Sequence, residues 1–308
     1  MGQPGRGSCD SLDGNLLEAA REAARQGASA HHEARGEVDS SSWSEKGRSD
    51  FVTEVDLEAE RRILSVLLGR FPQHGVLAEE GTHALADRSS AGTPAPESAA
   101  GGEESVEAIR WIVDPLDGTT NWLHGYPEHA VSIAAEDADG IRAAVVLNSA
   151  TGELFEASRG GGARRNGDPI AVSRVADLRL ALVGTGFPFK KLQVLPHYLT
   201  VFDRVLRATS GIRRGGAAAL DLCDLACGRL DAFFEYWLQP WDVAAGALIV
   251  REAGGVFEPL LVPGLHETEA AGAAMPSGLS PGGFLGANAS LGEAFRLLVT
   301  APDATPES

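Results

Sequence analysis

Apolar residues return at helical intervals in two early segments of the chain. Leu12, Leu16, Leu17, Ala20 and Ala24 share one face of the first, and Val55, Ala59, Ile63, Val66 and Leu67 share one face of the second, which Gly69 and Pro72 end. Two amphipathic helices are therefore predicted to open the domain. From Ile109 the period shortens. Trp111 to Val113, Ala130 to Ala134, Ala143 to Leu147 and Leu154 to Ala157 are short apolar or alternating runs, divided by Asp-Gly, Ser-Ala-Thr-Gly and Asn166-Gly167 turn signals. These predict a meandering, mainly antiparallel sheet. Beyond it, strand patterns over Leu180 to Val183 and Ala232 to Tyr236 alternate with helical patterns over His197 to Ala208, Ala217 to Cys227 and Val243 to Ala253. The second half reads as α/β layers.

Two segments break the pattern. Thr82 to Glu107 is rich in Ala, Ser, Gly, Pro and Glu without periodicity, and Val262 to Gly283 is similar. Neither has the apolar content to offset the entropy of ordering, so both are expected to be surface insertions. One domain is expected over residues 11–300, with an α+β half over 11–175, an α/β half over 176–300, and disordered ends at 1–10 and 301–308.

The 308 residues are 44% hydrophobic and 22% charged, an ordinary globular balance. A formal net charge of −17 argues against nucleic acid as a partner, because such binding neutralises phosphates with Lys and Arg. No apolar run is long enough for a membrane span and no apolar leader opens the chain, so no membrane contact and a cytoplasmic location are expected. The 3 cysteines give no disulfide framework; Cys9 lies in a polar start, and Cys223 and Cys227 share a helix face with Leu220. An acidic protein can still bind an anionic small molecule through divalent cations gathered on carboxylates.

Carboxylates attached to apolar scaffolding suggest where. Asp114 and Asp117 follow the run Ile109 to Val113, Glu79-Glu80 follow Val76-Leu77-Ala78, and Asp242 stands between Trp241 and Val243 at the start of an apolar helix. Singly they read as a turn aspartate, a charged loop and a helix N-cap. Together they suit Mg²⁺, a hard ion held by one or two carboxylates, waters and substrate phosphate. Asp114, the backbone carbonyl of Leu116 and Asp117, on a tight turn stiffened by Pro115, would offer oxygens to a pair of metals. Gly118 permits close backbone approach, and Thr119-Thr120 open a short segment whose N–H groups suit a phosphate. The 8 histidines are scattered, with His31-His32 read as solvent-facing. Arg213 and Arg214 read either as a solvated pair or as a loop anchor or subunit contact.

The stretch Asp114-Pro-Leu-Asp-Gly-Thr-Thr-Asn-Trp122 resembles the Asp-Pro-(Ile/Leu)-Asp-Gly-Thr signature of the inositol monophosphatase family. Trp241 to Gly255 resembles the family's second signature, and Lys46 to Asp56, Glu79-Glu80 and Arg213 to Ala219 are similar to further family stretches. The resemblance implies an αβαβα sandwich of the metal-dependent, lithium-sensitive sugar phosphatase type. It also implies a homodimer and hydrolysis of a small phosphorylated substrate with two or three Mg²⁺ ions. By position, Glu79, Asp114, the carbonyl of Leu116, Asp117 and Asp242 match metal ligands. Thr119 with Glu79 matches the pair that orients the attacking water, with Asp56 beside them and Lys46 a cation near the site. Gly118 and Thr119 match phosphate-contacting backbone. Gly216, Ala217, Ala218 and Glu235 match positions that meet the alcohol, and Asp117 and Asp242 also border the substrate.

Asn121-Trp122, His124 to Pro127, Thr185 to Pro188 and Glu235 look like the bacterial inositol phosphatase type, which makes inositol 1-phosphate the expected substrate. Histidinol phosphate, adenosine 3',5'-bisphosphate and fructose 1,6-bisphosphate remain open, since the signature turns are shared among specialists. A binding or regulatory protein with an idle site is the reading of another class. Such a site would be expected to lose a ligand, whereas Glu79, Asp114, Asp117, Thr119 and Asp242 are all present.

Overall fold

The computed structural model describes residues 12–35, 44–47, 50–52, 54–81, 108–261 and 277–302, of which 44–47 and 50–52 form a hairpin known by its backbone. The expected disordered start at 1–10, the insertion at 82–107, most of that at 262–283 and most of the tail lie outside the described residues. The first half runs α1 (Leu12–Glu33), β1 (Ser44–Gly47), β2 (Asp50–Val52), α2 (Glu54–Arg70), β3 (Gly75–Ala78), β4 (Arg110–Asp117) and a short α3 (Thr119–Leu123). It continues with β5 (Ala130–Asp137), β6 (Gly140–Asn148), β7 (Leu154–Ser158), β8 (Gly162–Arg165) and β9 (Asp168–Pro169). The second half runs β10 (Leu182–Thr185), α4 (Leu195–Ala208), β11 (Gly211–Arg213), α5 (Ala218–Ala226), β12 (Ala232–Leu238) and α6 (Pro240–Glu252). It closes with β13 (Gly255–Leu260), β14 (Gly282–Asn288) and α7 (Gly292–Thr300).

Strands β3 to β9 form a 7-stranded sheet in chain order, antiparallel except where β3 runs parallel to β4. The second sheet has 5 strands in the order β11-β10-β12-β14-β13, with β10 parallel to both its neighbours. Side chains alternate across each strand, and that alternation sets the layers. Trp111 and Val113 of β4 pack with α1 and α2, whereas Ile112 packs with α5 and α6. Likewise Phe234 and Tyr236 of β12 face α4 and α7, whereas Phe233 faces α5 and α6. The outcome is the αβαβα sandwich that the family resemblance implied.

The middle layer is the most apolar. Helix α6 is buried from Val243 to Val250 because it lies between two sheets, so it shows no polar stripe. At Gly246 an added Cβ would stand 2.7 Å from Leu222 Cβ, so glycine lets α6 close on α5.

Several elements were not foreseen. Strands β3, β8, β9 and β11 have at most four residues, too few to show a period. Strand β14 is glycine-rich, and at Gly286 close packing requires it: a Cβ there would stand 2.8 Å from Leu225 Cδ2. The expected insertion over 262–283 also ends earlier than the composition suggested. Leu279 is buried, and Gly282 and Gly283 already belong to β14.

His31 corrects a second expectation. It continues the buried stripe of Ala20, Ala23, Ala24, Gly27 and Ala28 and is fully buried, with Nδ1 2.8 Å from Ser149 Oγ. Its ring packs edge-on at 6.0 Å from that of His129. Burial pushes His31 down to about 3 and His129 to about 4. Both imidazoles are neutral in the fold, whereas in the unfolded chain each gains a proton below about pH 6.5. Unfolding therefore takes up protons, and this contribution to stability is lost as pH falls from about 6.5 toward the folded values. Unfolding free energies of wild type and His129→Gln, measured from pH 7 to about 4.5, are expected to diverge by about 1 kcal/mol per pH unit below about 6.5. Parallel curves would contradict this assignment.

Candidate active site

The parallel pair β3 and β4 ends at one edge of the first sheet. Ala78 is in register with Val113, and the Glu79 N–H donates to the Val113 carbonyl at 3.2 Å, which sets Glu79 beside Asp114. Glu79, Asp114, Leu116, Asp117, Gly118 and Thr119 line one side of a cleft of about 820 Å³, and Gly216, Ala218, Glu235 and Asp242 from the second half also line it. The cleft draws on both sheets.

Asp114 and Asp117 do not sit on the tight turn expected from the sequence. Both belong to β4, where Asp114 pairs with Ser132 and Asp117 with Ala130, so three steps on β4 match two on β5. That is a β-bulge, a position that tolerates Pro115. In a regular strand, residues three apart point to opposite faces. The extra residue restores the parity and turns both aspartates into the cleft.

Backbone N–H groups orient these carboxylates. Leu116 N–H donates to Asp114 Oδ1 at 3.0 Å, and Ala219 N–H, in the first turn of α5, donates to Asp117 Oδ2 at 2.7 Å. Asp242 is not the N-cap of α6. Gln239 is, and Asp242 at N3 accepts the Gln239 N–H at 2.7 Å in a capping box. A stabilising cap thus fixes the carboxylate at the end of the cleft-lining helix.

The charges are unfavourable to one another. Burial first, and then the neighbouring Glu79, Asp117 and Asp242, hold Asp114 well above the usual carboxylate range. Asp117, still partly open to the cleft, is raised to about 7 by burial and by Glu79, against the lowering pull of the Ala219 and Ala218 amides and Arg214. Among the described residues no three Asp, Glu, His or Cys side chains close into a cage around a single point. The charge pattern nevertheless suits cations, and the open arrangement suits Mg²⁺, which keeps waters and takes only one or two carboxylates together with phosphate oxygens. The donors are all hard oxygens, so the set fits that ion.

Beside them, the Thr119 hydroxyl donates between the Leu116 carbonyl at 3.0 Å and Asp56 Oδ1 at 3.2 Å. Asp56 is buried on α2, behind Thr119. Gly118 caps α3 with φ 87°, and an added Cβ would stand 2.8 Å from the Glu128 carbonyl oxygen. Gly118→Ala is therefore expected to cost on the order of 1–3 kcal/mol of stability. A thermal melt that matches wild type would show that the loop relaxes without strain.

A model of the inositol monophosphatase family matches residues 12–261. The chain belongs to the inositol monophosphatase family. It is 42% identical over 254 residues to the Nus factor SuhB of Pseudomonas aeruginosa, covering 82% of this chain and 87% of that protein. Among solved structures it is similar to extragenic suppressor protein suhB of Bartonella henselae, with TM-score 0.75 and 34% identity over 93% of this chain and 99% of that one. It is also similar to inositol monophosphatase from Anabaena, with TM-score 0.71 and 30% identity over 94% and 97% of the two chains. The scaffold is of phosphatase type. Among the described residues no helix is long and apolar enough to cross a membrane.

Against the positions implied by the inositol monophosphatase resemblance, the cleft gathers Glu79, Asp114, Leu116, Asp117, Gly118, Thr119, Gly216, Ala218, Glu235 and Asp242. Ala217 is a correction. It is 1% exposed, and its Cβ lies 3.2 Å from where a Cβ on Gly118 would be, so it supports the loop from the core instead of meeting the alcohol. Lys46 lies in β1, and its side chain falls outside the described residues. Burial raises Glu235 to about 8, with Arg214 and Lys190 acting to lower it and Asp242 and Asp117 to raise it.

Other residues at and beside the cleft were given no role in the sequence. Asn121 Nδ2 donates to the carbonyls of Glu128 at 2.6 Å and Gly215 at 3.0 Å, tying α3 to the loop that carries Gly216. Arg214, read from the sequence as a solvated residue, a loop anchor or a subunit contact, lines the cleft, and Phe187, Phe189, Lys190, Lys191 and Trp237 join it. The available signal was Phe187-Pro-Phe-Lys-Lys191, an aromatic and basic loop after a parallel strand, where α/β folds gather ligands.

Proposed function

We propose that this chain hydrolyses a small phosphate monoester with Mg²⁺ and water, with inositol 1-phosphate as substrate. The observation that carries the reading is the convergence on one cleft of Glu79 after β3, Asp114 and Asp117 of β4 and Asp242 of α6, beside the glycine-led turn into α3. Glu79, Asp114, the Leu116 carbonyl, Asp117 and Asp242 would hold the ions. When bound, Mg²⁺ supplies charge for the phosphoryl oxygens and the leaving alcohol and acidifies water.

The chain's own groups do the rest. Asp56 accepts a hydrogen bond from the Thr119 hydroxyl, which leaves the lone pairs of the Thr119 oxygen to accept from and orient water, and Glu79 completes that pair. Gly118 and Thr119 offer backbone N–H groups to the phosphate. Glu235 and Gly216 meet the alcohol. Phosphate monoesters resist hydrolysis so strongly that positioning and charge neutralisation must supply most of the barrier reduction.

The test is phosphate release from inositol 1-phosphate, histidinol phosphate, adenosine 3',5'-bisphosphate and fructose 1,6-bisphosphate, with Mg²⁺ and with chelator. Inositol 1-phosphate should be a good substrate and chelator should stop the reaction. Failure on inositol 1-phosphate with turnover of another ester would move the substrate and keep the chemistry. Lithium added to the same assay should inhibit most strongly at saturating substrate, because a small cation in one metal position delays phosphate release. Uniform insensitivity to lithium would remove that part of the proposal.

A second role rests on the name Nus factor carried by relatives at 42% and 40% identity. If this chain shares that role and holds it on its surface, variants without turnover should still restore a strain that lacks such a relative. Restoration that follows turnover would tie the two roles together.

A further inference from the structure

A buried imidazole stands beside the metal-side strand without taking part in the chemistry above. His31, near the end of α1, is fully buried, and neither it nor Trp122, His129 or Ser149 around it lines the cleft. Its main chain and side chain nevertheless reach two parts of the site. The His31 carbonyl accepts the Trp122 indole N–H at 3.3 Å, which ties the end of α1 to α3, the helix that Gly118 opens. The His31 ring meets Ser149 Oγ through Nδ1 at 2.8 Å. Ser149 is itself fixed on both sides: its N–H donates to the His129 carbonyl at 3.0 Å, and its carbonyl meets His32 Nε2. His129 directly precedes Ala130, the β5 residue paired with Asp117.

The atom left over is Nε2, which is buried and closes no hydrogen bond of good geometry among the described residues. A buried polar group in that position calls for an explanation. The backbone of Pro115 is near enough to act on the ring. Proline has no N–H, so what it can offer an imidazole is its carbonyl. Pro115 lies inside the β4 bulge, between Asp114 paired with Ser132 and Asp117 paired with Ala130. A bulge interrupts the ladder, so its backbone relies on support from outside the sheet. Burial keeps the His31 ring neutral, and a neutral ring has one donor and one acceptor. One nitrogen can serve Ser149 and the other Pro115.

We propose that His31 is a positioning residue of the active site: placed by Ser149, its Nε2–H is directed at the Pro115 carbonyl and braces the bulge that turns Asp114 and Asp117 into the cleft. The Ser149 hydroxyl then donates to Nδ1. The inference rests on the reading of Asp114 and Asp117 as Mg²⁺ ligands, and it gives a residue of α1, which touches neither ion nor substrate, control over how well the ions are held. The competing account is that His31 only fills the core. Its loss would then lower stability and leave ion binding alone.

The two accounts separate when Mg²⁺ is titrated into chelator-treated protein without substrate and the melting temperature is followed, because an ion that binds the folded chain raises it according to its affinity. The proteins compared are wild type, His31→Leu, His31→Gln, Ser149→Ala and, as a control, Leu16→Ala, a core residue near the other end of α1. His31→Leu should need about fivefold more Mg²⁺ for half of the rise, and Ser149→Ala about twofold more, as expected for the loss of one hydrogen bond. His31→Gln, which restores a side-chain N–H, should fall between wild type and His31→Leu. Leu16→Ala should melt lower with an unchanged Mg²⁺ requirement. Should His31→Leu fail to fold, Ser149→Ala still decides, since it keeps the imidazole and removes only the hydroxyl that orients it. A Mg²⁺ requirement in the folded His31 and Ser149 variants equal to that of wild type, or raised no more than by Leu16→Ala, would overturn the positioning role and leave the metal reading standing. No Mg²⁺-dependent rise in the wild type would overturn both.

Discussion

Asp114→Asn and Asp242→Asn are each expected to lower kcat by at least about a hundredfold at saturating Mg²⁺ while the fold survives. The fold survives because asparagine keeps the shape and the accepting oxygen. Asp114 accepts the Leu116 N–H at the β4 bulge, and Asp242 accepts the Gln239 N–H in the α6 capping box, contacts that a side-chain amide oxygen can also make. What disappears is a negative charge on the metal side. The two residues belong to different elements and share only the cleft, so equal losses at both would be hard to explain by local distortion. Phosphate release by the purified variants, with circular dichroism to verify folding, decides the matter. Undiminished turnover by both would remove the metal assignment.

Without metal, stability is expected to fall as pH rises from about 6.5 to about 8. Asp117 is raised to about 7 and Glu235 to about 8, both chiefly by burial, so the folded chain still holds protons there that the unfolded chain has released. A carboxyl with a raised folded pKa adds stability that is fully present below its unfolded value and lost as pH rises through the folded one. His31 and His129 are neutral in the fold throughout and largely neutral in the unfolded chain above about pH 7, and below that they act in the opposite direction, so the fall is read most cleanly from about pH 7 to about 8. Mg²⁺ prefers the deprotonated carboxylates, so its stabilisation should grow with pH and offset the loss. Asp114→Asn should melt about 2 °C or more above wild type in chelator, because one member of a repelling cluster is gone, and should lose that advantage when Mg²⁺ is added. Melting temperatures in chelator that do not change over the window, with the same order of variants in Mg²⁺, would contradict the picture of a repelling cluster.

The long periodic elements were legible in the sequence, as were the ends of the two signature stretches. Helices α1, α2, α4, α5 and α6 and strands β4 to β7 follow from spacing because each buries one face or fills one layer. The short strands carry too few residues for a period, and β14 interrupts its apolar run with glycines, of which Gly286 makes room for Leu225. At the site, the family resemblance supplied the roles, but local pattern could not supply the geometry. A bulge that turns Asp114 and Asp117 to one side is a matter of pairing with β5, and the role of Asp242 as N3 depends on Gln239 ahead of it. Ala217 was assigned to the alcohol by its position in the family stretch, and position alone does not tell which residues of the loop face the cleft; burial and the contact with Gly118 do. The cations at the cleft escaped notice because Lys191 and Trp237, and Arg214 and the Phe187–Phe189 loop, are far apart in sequence and meet only in the fold.

The most direct measurement is phosphate release from inositol 1-phosphate by the wild-type protein as Mg²⁺ is removed by chelator and then restored in steps. The account requires turnover to vanish without the ion and to return with a saturable dependence on it. Turnover that persists at full rate in chelator would contradict the claim that the carboxylate cleft works through bound metal.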